Sequence, residues 1–213
     1  NAKVAADGPI LKDRLSMSVA ARRSYVDLFL KLIPEYKSTV MNFFDVNAKI
    51  RYKADRNDMV DLSFFASRDN LAISDLMAMR WSNVAGSVNW ISRAGDNLHF
   101  TTTAAATNYT TDMHADIMDS SQKLTEYIRS FSLNERAVYT IGDGHAIEAG
   151  ARSELLRVKS AEMIVNDSHQ REIRSGWQNA VWAGYEGTLS QQISLTAGAR
   201  LSAFTSLSGA RFH

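Results

Sequence analysis

Apolar and polar residues alternate with a period of two along most of the chain. Between Phe44 and Lys53, one side carries Phe44, Val46, Ala48, Ile50 and Tyr52, and the other carries Asp45, Asn47, Lys49, Arg51 and Lys53. Successive strand side chains point to opposite faces, so this run predicts a strand with one apolar and one strongly polar face. Val60, Leu62, Phe64 and Ala66 repeat the pattern against Asp61, Ser63, Phe65 and Ser67. The short, turn-prone connector Ala54-Asp55-Arg56-Asn57-Asp58 joins the two runs into a predicted hairpin. Further stripes are Val84, Gly86, Val88 and Trp90, then Ile147, Ala149, Ala151 and Ser153, then Ile193, Leu195, Ala197, Ala199, Leu201 and Ala203. The stripe Phe131, Leu133, Ala137, Tyr139 is interrupted by Glu135. Gly142-Asp143-Gly144 reads as a turn built for positive φ.

The pattern predicts about nine strands, over 14–23, 42–53, 59–69, 80–91, 97–109, 126–140, 145–158, 175–188 and 192–206. Each is roughly ten residues or longer, the length that crosses a bilayer at a tilt, whereas globular strands run about five or six. The connectors 54–58, 92–96, 141–144 and 189–191 are short, and 24–41, 70–79, 110–125 and 159–174 are long. Strict alternation of short and long is the rhythm of an up-and-down membrane barrel with tight periplasmic turns and long extracellular loops. Within 24–41, Tyr25, Leu28, Phe29 and Leu32 are spaced for a helical turn before Pro34.

Composition narrows the classes. The chain has 213 residues, 45% apolar and 22% charged, with a net charge of +1. That is ordinary for a folded protein and gives no electrostatic case for nucleic acid. The absence of cysteine excludes a disulfide scaffold, thiolate metal ligation and thiol catalysis. No apolar run approaches the roughly 20 residues of a membrane helix, which says nothing against membrane strands.

Candidate chemistry is sparse. Asp112, His114 and Asp116 would share a face if extended, but three common polar residues in an expected loop make a solvated segment, not a metal site. His99 reads as luminal or interfacial, and His145 as exposed after its turn. No Ser/His/acid spacing suggests a nucleophile, and Gly142-x-Gly144 lacks the rest of a nucleotide loop. Asp45, Asp61, Lys49 and Arg51 fit a charge network on adjacent strands better than an acid/base pair. Trp90, Trp177, Trp182 and Tyr52 fit an interfacial aromatic girdle. Tyr36, Phe43 and Tyr109 are candidate stacking platforms in loops. Of the consecutive Arg22 and Arg23, only one can point into a lumen. These residues imply no enzyme, no cofactor and no metal.

Pro9-Ile10-Leu11-Lys12-Asp13-Arg14-Leu15-Ser16, then Ala21-Arg22-Arg23-Ser24-Tyr25-Val26-Asp27, resembles the early barrel of TonB-dependent outer-membrane receptors, particularly those of Bacteroidetes. Phe43 to Tyr52 looks like the next family strand. Ala180-Val181-Trp182-Ala183, Glu186, Leu189-Ser190 and Leu195 to Ser202 resemble a later hairpin, although Tyr185 and Gly187 replace the family's Asp and Trp. The resemblance implies a barrel of about 22 strands with a plug in its lumen. Residues 1–213 are then expected to form part of one barrel domain, with the plug and remaining strands absent from this chain. Strands 14–23 and 192–206 are expected to lie far apart, each with an unpaired outer edge. The implied function is import of a scarce nutrient (siderophore, cobalamin, oligosaccharide or peptide) across the outer membrane, driven through TonB by way of the missing N-terminal region. A SusD-like surface lipoprotein is a candidate partner, with outer-membrane lipid around the barrel. The rival readings are a passive porin-like or structural barrel, and a soluble β-rich module.

Overall fold

A computed structural model describes residues 1–74, 76–117, 120–142, 144–160, 164–165, 168–169 and 173–207. Its main body is one ten-stranded antiparallel sheet in which every strand pairs with its sequence neighbour. The strands are β1 (Ala2–Leu11), β2 (Leu15–Arg23), β3 (Thr39–Lys53), β4 (Asp58–Ile73), β5 (Met77–Ala94), β6 (Leu98–Ile117), β7 (Ser120–Thr140), β8 (His145–Lys159), β11 (Ile173–Ser190) and β12 (Ile193–Ser206). A two-residue ribbon, β9 (Ile164–Val165) with β10 (Ser168–His169), stands apart between β8 and β11. The up-and-down meander expected from the alternation is present. No helix among the described residues is long and apolar enough to cross a membrane.

Three expectations are corrected. First, the sheet has ten strands, because Ala2–Leu11 pairs along β2 from Ala2↔Arg23 to Leu11↔Leu15. The strand 14–23 therefore has neighbours on both sides, β1 and β3, and has no open edge. β12 pairs with β11 alone, and no ladder joins it to β2, so the sheet does not close. Second, most of the expected loops 70–79 and 110–125 are strand. β4 and β5 stay paired up to Ile73↔Met77, and β6 and β7 up to Ile117↔Ser120. Third, Phe43 and Tyr109 lie in strands, not loops. The segment 24–41 does hold a short helix α1 (Val26–Leu30) and a single 3-10 turn Pro34–Tyr36. The expected loop 159–174 is described only in part.

The tight turns carry the backbone that their residues permit. Gly95, Gly142 and Gly144 have φ of 73°, 100° and 79°. Asp143 lies outside the described residues. The Asp55 carboxylate closes the β3–β4 turn by accepting the backbone N–H of Asn57 at 2.7 Å and of Asp58 at 2.9 Å. Both bonds favour the charged form, so the Asp55 carboxyl titrates below its usual range.

Register sorts the faces. Lys49 pairs with Ser63, which pairs with Ser87 and then Ala105; Ile50 pairs with Leu62, then Val88, then Ala104. Asp45, Asn47, Lys49 and Arg51 therefore point opposite to Val46, Ala48 and Ile50, as the alternation predicts. The polar face is the crowded one: Asp61, Thr111, Ala115 and Ala180, all under 10% exposed, stand on it. The other face displays Leu62, Phe64, Val88, Phe131, Leu133, Val181 and Leu201 to the outside. Crowding on one side and exposure on the other is what a curling barrel wall produces, with the polar face inward.

The outward band has the height of a bilayer core. On β4, Asp58 and Arg68 bracket Val60, Leu62, Phe64 and Ala66. Ten residues at about 3.3 Å make about 33 Å of strand, or about 25 Å of height at a tilt near 40°. The same tilt explains why the band drifts across the register. The hydrogen-bonded row from Ile50 runs through Leu62, Val88, Ala104, Leu133 and Ser153 to Asn179. Six steps of about 4.8 Å climb about 18 Å at that tilt, which carries the row out of the hydrocarbon. The row turns polar at Ser153 and Asn179 before it reaches Ala203 on β12.

Candidate functional site

The inward wall has two zones. The lower one is a set of closed ion pairs. Asp61, buried on β4, accepts Arg51 Nε at 2.7 Å and Arg51 Nη2 at 2.8 Å, with Lys49 Nζ at 3.0 Å. Arg22 Nε donates to Asp45 at 2.7 Å and lies 5.1 Å from the Phe43 ring centroid. Arg136 pairs with Glu148, and Arg152 with Glu154. The charges expected to form a network do so. Of the two consecutive arginines, Arg22 is the inward one; Arg23 faces out beside Tyr25.

Trp182 departs from its expected place in the lipid girdle. It sits inward, and its indole Nε1 donates to Glu148 at 2.9 Å while Arg200 lies 5.3 Å from its ring. The indole lies over Gly150, where a Cβ would come within 2.2 Å of the ring. Sequence reasoning missed this pairing because β11 alternates weakly there; the Gly150↔Trp182 register is the signal. Trp90, Tyr52 and Trp177 do face outward. Trp90 Nε1 donates to Asp58 at 2.8 Å, as an indole at a lipid–water boundary should.

The upper zone is apolar. Above Arg68 and Arg80 the strands continue, and their inward row runs Met41, Leu71, Met79, Met113 and Leu124 across five strands. Phe43, Trp81 and Tyr109 stand just below it, with Asp69 and Glu126 in the Phe43–Trp81 row. Polar residues have moved outside: Asn70 Nδ2 donates to Asn42 at 2.9 Å, Arg80 Nε to Asn70 at 3.1 Å, and Thr125 to Asp112 at 3.0 Å. Tyr36 is half exposed at the 3-10 turn and joins neither row.

Asp112, His114 and Asp116 do share an outward face, in strand β6. They do not converge. Asp112 is engaged by Thr125, and His114 Nε2 pairs with Asp116 at 3.2 Å. No group of three metal-ligating His, Cys, Asp or Glu residues occurs among the described residues. His99 faces inward between Arg93 and Val138. His145 is half-buried, its Nδ1 2.7 Å from the Tyr185 hydroxyl. The arrangement offers paired charges, thioethers and aromatic rings along the inward face.

No protein-family model and no curated protein matches the sequence. Solved structures do match the fold. A variant of the ferric enterobactin receptor PfeA from Pseudomonas aeruginosa superposes with a TM-score of 0.69 at 12% identity, over 95% of this chain and 36% of that one. The outer membrane transporter YddB from Escherichia coli gives 0.65 at 7% identity, over 95% and 33%. The chain thus spans about a third of the length of these structures. Its fold is that of a segment of an outer-membrane receptor or transporter barrel.

Proposed function

We propose that this chain is barrel wall of a TonB-dependent outer-membrane receptor, of the Bacteroidetes type, that imports a scarce nutrient. The observation that carries the reading is likeness over 95% of the chain to receptor and transporter barrels. An unclosed sheet with a bilayer-high apolar band supports it. The outer edges of β1 and β12 need further strands in hydrocarbon, where unpaired backbone groups cost several kcal/mol each. On this reading residues 1–213 belong to one barrel domain, and plug, TonB contact and remaining strands lie elsewhere in the protein. The long-connector end faces outward, so the nutrient meets the Met79–Met113 and Phe43–Trp81 rows first. A SusD-like lipoprotein would act at that end.

The test is uptake by cells expressing the full-length protein. Labelled siderophore, cobalamin, oligosaccharide and peptide pools are offered with and without TonB. Accumulation of one pool that collapses without TonB is expected. Accumulation indifferent to TonB would indicate a passive pore and overturn the reading.

A further inference from the structure

On the outward face, Arg129 of β7 stands directly opposite Arg157 of β8. Directly opposed strand positions hold their Cβ atoms about 4.5–5.5 Å apart, and like charges there are destabilising. Nothing described offsets the pair. Arg129 Nε donates to the neutral Asn108 at 2.8 Å, and its guanidinium lies 4.4 Å from the Tyr127 ring. Arg157 is exposed and has no ion pair among the described residues. The nearest outward carboxylate on the adjoining β6, Asp112, lies four residues beyond Asn108, about 13 Å along the strand, and is already engaged by Thr125.

The next outward row down is Phe131, Leu155 and Trp177. All three are substantially exposed. Two cations therefore sit at the upper rim of the lipid-facing band, immediately above an aromatic and aliphatic strip. We propose that this rim binds the phosphorylated headgroup of an outer-leaflet glycolipid, one phosphate bridging Arg129 and Arg157 and the acyl chains lying along Phe131, Leu155 and Trp177. A bridging dianion converts the repulsion into two charge-assisted, bidentate contacts. The assignment rests on the proposed orientation, with the long-connector end outside.

The test uses the full-length protein in nanodiscs of phosphatidylcholine, with or without a minor fraction of bisphosphorylated lipid A, read by thermal unfolding. Lipid A is expected to raise the unfolding temperature of the wild type, while dephosphorylated lipid A is not. R157Q should reverse sign with composition: more stable than wild type in pure phosphatidylcholine, less stable with lipid A. Each arginine removed should weaken lipid A binding about fivefold. An equal lipid A response in R157Q, or a loss in both compositions, would overturn the proposal. So would inorganic phosphate alone reproducing the wild-type shift, which would mark a free-anion site. If R157Q does not insert, R129Q is read against the same two outcomes. A protein that enters the discs and ignores lipid A refutes this inference alone; one that does not enter a bilayer refutes the barrel reading beneath it.

Discussion

The assignment of faces is tested by two arginines placed on neighbouring strands. Phe64 faces outward on β4, 47% exposed, between Asp58 and Arg68. It lies four residues from Arg68 and six from Asp58. With a tilt near 40° those spans are about 10 and 15 Å of height, so Phe64 stands within a few Å of the midplane. Ser87 of β5 faces inward, between Ser63 and Ala105. Phe64→Arg should cost about 2–4 kcal/mol, the range for arginine at the midplane of a membrane barrel. Ser87→Arg should stay within about 1 kcal/mol, because its side chain remains among polar neighbours. The assay is denaturant titration of the full-length protein folded into phosphatidylcholine vesicles, with stability taken from midpoint and slope. A difference of 3 kcal/mol is more than a hundredfold in the folding equilibrium, well outside the error of the extrapolation. Equal losses for both variants, or a larger loss for Ser87→Arg, would refute the face assignment and the tilt built on it.

Asp61→Asn leaves Lys49 and Arg51 facing each other without the carboxylate and should cost about 1–3 kcal/mol, discounted because both cations are half exposed; a double-mutant cycle with Arg51→Gln in the same titration should show strong coupling, and additive losses would contradict it. Gly150→Ala should push the Trp182 indole off the strand, break its bond to Glu148 and cost about 1–3 kcal/mol, read as a change in tryptophan emission with the loss of stability. Glu135 stands in the lipid-facing stripe of β7, where the Thr102 hydroxyl donates to it; Glu135→Gln should raise stability by about 1 kcal/mol in vesicles, and a clear loss would assign the carboxylate a role the sheet does not show. For Asp55, the folded carboxyl titrates below its unfolded value, so its contribution is present above the unfolded carboxylate range and fades as pH falls through the folded one. Asp55→Asn should flatten the acid limb of the stability profile, and an unchanged limb would remove Asp55 from that account.

The membrane part of this fold was legible because lipid imposes a strict code. Every second residue of β3, β4 and β5 must be apolar, and the stripes from Phe44, Val60 and Val84 obey it. β1 escaped because its outward residues are Ala2, Val4, Ala6 and Gly8, too small to stand out, and because Pro9 interrupts it. Pro9 stands beside a register shift between Pro9 and Leu11, and a bulge is a place where a sheet accepts proline. The tops of β4, β5, β6 and β7 escaped for a different reason. Their period of two continues, but Asn70, Arg80 and Asp112 now occupy the outward phase, and Leu71, Met79 and Met113 the inward one. A stripe followed by its apolar phase ends where that phase changes sides, so the strand was cut short at the rim. Trp182 was misplaced because it was grouped with the girdle by residue type, although it stands in the middle of β11; the Gly150 register reveals that the indole folds over the inner wall. The ion pairs were easier, since Lys49, Arg51 and Asp61 lie on one predicted face.

That change of phase carries information about function that neither zone carries alone. Through the bilayer, the outer face is dictated by lipid and the inner face is free to be charged, and Asp45, Asp61, Glu148 and Glu154 are paired there with arginine or lysine. Above the rim the outer face meets water, and Asn42, Asn70, Arg80 and Asp112 satisfy it with side-chain hydrogen bonds. Nothing about water outside requires the inner face to become apolar. A hairpin that served only to extend the wall would be polar on both sides, since exposed Met41 and Ile73 cost free energy without a cover. Placing Met41, Leu71, Met79, Met113 and Leu124 in one row makes sense if something apolar or aromatic comes against it. Methionine suits that role because its unbranched thioether adapts to shapes that differ from one occupant to the next. The lower wall shows the opposite design, rigid pairs with fixed partners. A solute that follows the proposed route would pass from an adaptable apolar mouth to a wall where Asp45, Asp61, Glu148 and Glu154 already hold cationic partners, so its apolar or aromatic parts would be held where it enters.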